Sequence, residues 1–202
     1  LHPAVCVYST FLQRGYDQIF HDVCLQKNLG VVFCLDRAGL VGSDGATHHG
    51  VYDIAMLRHL PGMVLMAPAD GTELTAMVPF AFDLNAPVAI RYPRGACPAP
   101  VTEQHAPLTL GVSEVLRDGP DGAVLAYGAM VTVACEAAER AAKEGVRLTV
   151  VNLRFAKPLD AECIMRLAAT QPFLATVEDH TLAGGVGGAV SELLADRGSN
   201  VP

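Results

Sequence analysis

Between Asp36 and Gly50 the chain reads DRAGLVGSDGATHHG, a stretch that sets Arg37, Asp44, His48 and His49 among Gly39, Gly42, Gly45 and Gly50. These side chains suit chemistry on an anionic substrate. A guanidinium binds phosphate or carboxylate through paired charge-assisted hydrogen bonds, and an imidazole moves protons near neutral pH. Glycine opens positive backbone φ angles and lets the main chain approach a ligand closely, so a loop rich in it can turn those groups onto one small target. Apolar runs flank the loop on both sides, and the carboxyl end of a buried strand is where open α/β sheets bind their ligands. A loop of solvated charges is the competing reading.

The bulk properties narrow the function classes. The formal charge is −7 and no basic run occurs, which argues against a nucleic-acid partner, so an anionic substrate must be met by a few local arginines. Apolar residues make up 51% of the chain, ample for a core, yet no apolar run reaches the roughly 18 residues that would span a bilayer. Cysteines at 6, 24, 34, 97, 135 and 163 form no C-x-x-C pair, as expected of reduced thiols in a cytoplasmic protein. The start at Leu1 and the end at Val201-Pro202, which reads like the opening of another strand, suggest a piece of a longer chain.

Apolar β-branched runs alternate with helix-period segments throughout, the pattern of parallel strands covered by helices. The fold class is α/β, with two consecutive units of mainly parallel sheet. The first unit, residues 1–94, has predicted strands at Ala4–Tyr8, Val31–Asp36, Met63–Ala67 and Pro87–Tyr92 and helices at Leu12–Gln26 and Tyr52–Arg58. A further helix opens at Asp70, where Asp70 and Glu73 have capping-box spacing and are read as helix punctuation rather than catalysts. Residues 95–109 are proline-rich and aperiodic, a linker. The second unit, 110–202, has predicted strands at Val112–Leu116, Ala123–Tyr127, Leu148–Leu153 and Phe173–Glu178, and helices at Val131–Lys143, Ala161–Ala169 and Gly188–Asp196.

Three blocks are more specific: YSTFLQRGYDQ from Tyr8 to Gln18, the glycine loop continued to Asp70, and RYPRG from Arg91 to Gly95. With NLRFAKPLD (Asn152 to Asp160) and TVEDHTLAGGVGGAV (Thr176 to Val190), they resemble the 1-deoxy-D-xylulose-5-phosphate synthases, members of the transketolase-like thiamine diphosphate group. Transketolases share the GxxGxDGxTH core, whereas DRAG and YSTFLQRxYDQ point to the synthases. The resemblance implies a pyrimidine-binding domain followed by a carboxyl-terminal domain. It also implies thiamine diphosphate and Mg2+ as cofactors, a homodimer, and condensation of pyruvate with glyceraldehyde 3-phosphate with loss of carbon dioxide. The products of such an enzyme feed isoprenoid, thiamine and pyridoxal synthesis.

Carried onto this chain, the resemblance makes Phe11 the ring that stacks on the aminopyrimidine, and Arg37 and Arg94 the phosphate-binding arginines, with Tyr8 beside them in substrate binding and catalysis. An ordinary core phenylalanine would not need the polar company of Tyr8, Gln13 and Arg14. Arg14 is expected at a helix start, where a cation opposes the macrodipole, which suggests an anion or a partner carboxylate. His48 is expected to bond the pyruvate-derived adduct and move a proton. His49 points the other way, because neighbours in extended backbone face opposite sides. Asp44 is expected to orient His48 or to contact substrate.

In the family, the glutamate that drives ylide formation lies upstream of the position of Tyr8, and the first glutamate here is Glu73. The family's metal-binding GDG motif also lies in its amino-terminal domain; SDG at Ser43–Gly45 is not a copy of it, so no metal ligand is named. The run LAGGVGGAV has Val190 at the third position of a dinucleotide fingerprint and reads instead as tight packing at a helix start, near an anion. The alternatives are a transketolase, a 2-oxoacid dehydrogenase E1 β subunit, and a standalone module that binds without turnover.

Overall fold

The computed structural model describes residues 2–26 and 29–202; the Leu1 start lies outside the described residues. The first sheet has the order β1-β2-β4-β3-β8, where β1 is Ala4–Tyr8, β2 Val32–Asp36, β3 Val64–Met66, β4 Val88–Arg91 and β8 Phe155–Lys157. The second has the order β5-β7-β6-β9, with β5 at Glu114–Arg117, β6 at Ala123–Ala126, β7 at Thr149–Asn152 and β9 at Leu174–Val177. Central strands β2, β4 and β6 are mostly buried and apolar, with Asp36 and Arg91 closing the first two, as a sheet covered on both faces requires. Helices α2 (Asp53–Leu57), α3 (Gly71–Asp83), α4 (Met130–Lys143), α5 (Ala161–Thr170) and α6 (Val186–Asp196) match predicted helices to within a few residues.

Three details depart from the sequence expectation. Residues 9–24 are helical, but Ser9–Gly15 winds as a 3-10 helix, Tyr16–Gln18 (α1) as one α turn and Ile19–Cys24 as a π-helix. Arg14 therefore sits in the last turn of the 3-10 segment rather than at a helix start, and no macrodipole opposes it. Strand β5 starts two residues later than predicted and runs antiparallel to β7, while β8 runs antiparallel to β3. Strand β8 is three residues long, too short for any periodicity to reveal.

Through β8 the chain that has just built β7 returns to complete the first sheet. The core is accordingly shared. Leu35, Ile54, Leu57 and Leu65 from the first half pack in one cluster with Leu125, Val151, Ile164 and Val186 from the second. A buried leucine or valine contributes about 1.5–3 kcal/mol by leaving water, so these shared contacts join the two sheets firmly.

Candidate functional site

The glycine loop is pinched shut at its neck. Gly39 N–H donates to Gly50 O at 2.8 Å and Gly50 N–H to Gly39 O at 2.9 Å. A methyl group at Gly50 would lie 2.2 Å from the Arg37 carbonyl oxygen, so the neck closes only around glycine. Arg37 follows β2 directly and adopts φ 58°, a left-handed conformation that costs a non-glycine residue free energy. That turn swings its guanidinium back over the Tyr8 ring, 3.7 Å from the centroid. Strand pairing makes the contact possible, since Tyr8 lies opposite Asp36 in the β1–β2 register.

From this point the predicted residues form one continuous array. Arg94 Nη1 donates to Ser43 Oγ at 2.9 Å and to Asp44 Oδ1; the other Asp44 oxygen accepts from Arg37 Nε at 2.9 Å. Arg37 Nη1 also donates to Asp36. Beyond Arg37, Tyr8 stacks on Phe11 with centroids 5.5 Å apart and planes 17° off parallel, and the His48 ring meets Phe11 edge-on at 5.4 Å. The Arg14 guanidinium lies 5.2 Å from the Phe11 centroid. Tyr8 ends β1, Phe11 and Arg14 lie in the 3-10 helix that follows, Arg37, Asp44 and His48 in the loop after β2 and Arg94 in the loop after β4, and the fold brings all of them together.

Charge sets the character of the array. The Arg37 hydrogen bond, aided by the charge of Arg94, holds the Asp44 carboxyl below the ordinary carboxylate range despite the opposing effect of desolvation. The same bond from Asp44 raises Arg37, whose guanidinium stays charged. Both Asp44 oxygens face arginines, while His48 Nδ1 lies 3.0 Å from Thr47 Oγ1. His49 Nδ1 accepts from Val41 N–H at 3.1 Å, a bond internal to the loop. Asp36 and Asp44 both carry guanidinium partners, so they do not fit a metal. Phe11 also lines an apolar cleft of about 470 Å³ between β1 and the helical run, with Val5, Leu12, Ile19 and Phe33. A flat heteroaromatic ring fits such a surface.

Two supports escape sequence reasoning. Buried Arg91 donates from Nε to buried Asp53 at 2.8 Å and from Nη2 to the carbonyls of Gly50 and Asp179 at 3.3 and 3.1 Å. Asp179, just past β9, accepts from Leu40 N–H at 3.2 Å, so the second half of the chain braces the loop. Only the RYPRG block hinted at Arg91, and nothing local marked Asp179.

A second polar cluster lies between the sheets. Asp70 caps α3 as its spacing with Glu73 suggests, accepting from Glu73 N–H at 3.0 Å, but the Glu73 carboxylate bonds Ala69 N–H at 2.7 Å and Asn152 Nδ2 at 3.0 Å. Arg154, 1% exposed, donates from Nε to Glu73 at 2.7 Å and from Nη2 to Glu114 at 3.0 Å. These partners stand far apart in sequence and share no motif. At the glycine run the expected anion is the chain's own: Glu178 accepts from Val186 and Gly187 N–H, both at 2.8 Å, at the start of α6.

Known proteins give the arrangement a lineage. Residues 1–100 match the transketolase pyrimidine binding domain, and residues 111–202 the transketolase C-terminal domain. A 1-deoxy-D-xylulose-5-phosphate synthase 1 of Geobacter sulfurreducens is 53% identical over 97% of this chain and 31% of its own length. The synthase of Heliobacterium modesticaldum is 51% identical over 98% of this chain and 31% of its own length. The chain thus spans about a third of these relatives. Among solved structures, a split-gene transketolase described as an inactive β4 tetramer superposes with a TM-score of 0.88 at 32% identity, covering 96% of this chain and 63% of that one. A transketolase of Campylobacter jejuni, at 20% identity and TM-score 0.73, shares the fold. The chain belongs to the transketolase family and carries that family's pyrimidine-binding and carboxyl-terminal domains in succession.

Proposed function

We propose that this chain is the pyrimidine-binding part (1–94), linker (95–109) and carboxyl-terminal part (110–202) of a cytoplasmic, homodimeric 1-deoxy-D-xylulose-5-phosphate synthase. The reaction joins pyruvate to glyceraldehyde 3-phosphate with loss of carbon dioxide. The observation that carries this reading is the array of two guanidinium groups, an aromatic stack and an imidazole in mutual contact. Identity above 50% to synthases along the whole chain supports it.

Bound thiamine diphosphate would supply the carbanion and the electron sink. Phe11 offers its apolar cleft to the aminopyrimidine. Arg37 and Arg94, each bonded to one oxygen of Asp44, present donors to the acceptor's phosphate, and Tyr8 lies against Arg37. Asp44 thereby positions the arginines. Arg14 adds positive charge beside Phe11 for a carboxylate. His48, edge-on to Phe11, holds or moves a proton on the pyruvate-derived part. By family resemblance the ylide-forming glutamate lies upstream of the position of Tyr8 and the magnesium ligands lie in the amino-terminal domain, so the chain by itself is expected to be inactive.

The test is an assay of the full-length enzyme with pyruvate and glyceraldehyde 3-phosphate, set against ketose donors and lipoyl acceptors. Activity on a ketose donor alone would favour a transketolase, and transfer to a lipoyl group an E1 β subunit; thiamine binding without turnover would favour a non-catalytic module. In the active enzyme Arg37→Ala should raise KM for the phosphorylated acceptor about 10- to 100-fold, the worth of a charged hydrogen bond, and leave pyruvate KM nearly unchanged. A loss confined to pyruvate would refute the assigned roles.

A further inference from the structure

His105 lies in the irregular segment that runs from Arg94 to β5, and it is bonded at both ring nitrogens. Nδ1 stands 2.7 Å from Glu114 Oε2 and Nε2 2.9 Å from Asp70 Oδ2. A carboxylate accepts hydrogen bonds and donates none, so both contacts exist together only when both nitrogens carry protons. An imidazolium between two carboxylates satisfies both contacts.

Its surroundings favour that charge. Asp70 and Glu73 face it from α3, Glu73 with an oxygen 3.9 Å from Nδ1, and Glu114 faces it from β5. Arg154, between β7 and β8, is the other cation of the cluster among the described residues, and the remaining polar neighbour, Asn152, is neutral. One guanidinium against three carboxylates leaves an excess of negative charge. Arg154 bridges Glu73 and Glu114. The cluster also gathers main-chain bonds of the segment. Val101 N–H donates to Asp70 at 3.0 Å, Ala106 N–H to Glu114 at 2.6 Å, and the Ala106 carbonyl accepts from Arg154 at 2.9 Å.

We propose that protonated His105 is a positioning cation that helps pin the segment following Arg94 to a helix of the first sheet and a strand of the second, and that loss of its proton loosens that segment. Asp70, which caps α3, and Glu114, in β5, stand 44 residues apart, and among the described residues the His105 ring is the group bonded to both. Since the segment begins at an arginine of the array, the latch fixes one end of the candidate site. Burial by itself would lower the histidine's pKa; the hydrogen bonds to Glu114 and Asp70 outweigh it and raise it above the ordinary 6.5. The sign follows: the latch contributes in full below pH 6.5 and is lost as pH rises through the higher value of the folded state.

The test needs no catalytic activity, so its outcome is separate from that of the synthase reading. Histidine-ring NMR on this chain, with His105 assigned by His105→Gln, should show it mostly doubly protonated at pH 6.5, where an ordinary histidine is half protonated. Amide exchange of Val101 and Ala106, corrected for intrinsic pH effects, should accelerate by up to about tenfold per pH unit between pH 6.5 and the ring's own midpoint and level off above it. Asp70→Asn and Glu114→Gln should each lower that midpoint. A ring half protonated or less at pH 6.5 would overturn the proposal, as would exchange at these two amides that ignores the ring's titration. If a variant fails to fold, the wild-type titration and its exchange profile decide the matter.

Discussion

Arg154 offers a stringent test of how the two sheets are held together. Its side chain is 1% exposed, its Nε bonds Glu73 at 2.7 Å, and its Nη2 bonds Glu114 at 3.0 Å and the Ala106 carbonyl at 2.9 Å. Arg154→Met keeps much of the apolar volume and removes the positive charge, so two buried carboxylates lose their main counter-charge. Breaking a buried pair from one side costs about 3–5 kcal/mol because the orphaned charge cannot regain water. Glu73 retains Asn152 and Ala69, and Glu114 retains His105 and Ala106, which favours the lower end of that range. In a chain of 202 residues each kcal/mol is worth about 2–4 °C, giving a fall in Tm of about 6–20 °C. Thermal and urea unfolding of the variant at pH 7.5 would measure it. A loss under about 1 kcal/mol would show that the charges are not held as described.

Other expectations concern the loop, a helix start and the tyrosines. Gly50→Ala drives a methyl group to 2.2 Å from the Arg37 carbonyl, so it should destabilise by about 1–3 kcal/mol and disorder the loop; unchanged stability with an intact Tyr8–Arg37 contact in a crystal structure would contradict the neck geometry. Glu178→Ala removes the acceptor of two amides at the start of α6 and should cost about 1–2 kcal/mol in urea unfolding, with a near-zero effect counting against its capping role. Burial pushes the Tyr92 phenol up to about 12 and the Tyr127 phenol higher still. Two of the five tyrosines should therefore stay un-ionised at pH 11 by absorbance at 295 nm, until urea releases them. Because these phenols are neutral in the fold, stability should decline above pH 10, where unfolded tyrosines ionise. Five ionised tyrosines in a chain with native circular dichroism would refute this.

Much of the site was legible in the sequence because its residues occupy strand ends in contiguous motifs. Buried strands such as Val32–Asp36 are marked by apolar runs, and in an α/β sheet the carboxyl end of such a strand is where Arg37 must emerge. The seven residues singled out beforehand do converge. The capping of α3 by Asp70 and the anion at the α6 start were likewise local facts, written in spacings of a few residues.

What the sequence determined by itself was the alternation of the longer strands and helices and the clustering of glycines and arginines on one loop. Only the tertiary structure decided who partners whom: that Asp44 faces two arginines, that Asp179 braces a loop 139 residues upstream, that His105 and Arg154 tie three carboxylates together, and that a three-residue strand closes the first sheet. The reason is physical. Periodicity and capping act over one or two helical turns and leave a trace in neighbouring residues, whereas a buried charge is neutralised by whatever group the fold carries within about 3 Å, irrespective of its distance along the chain.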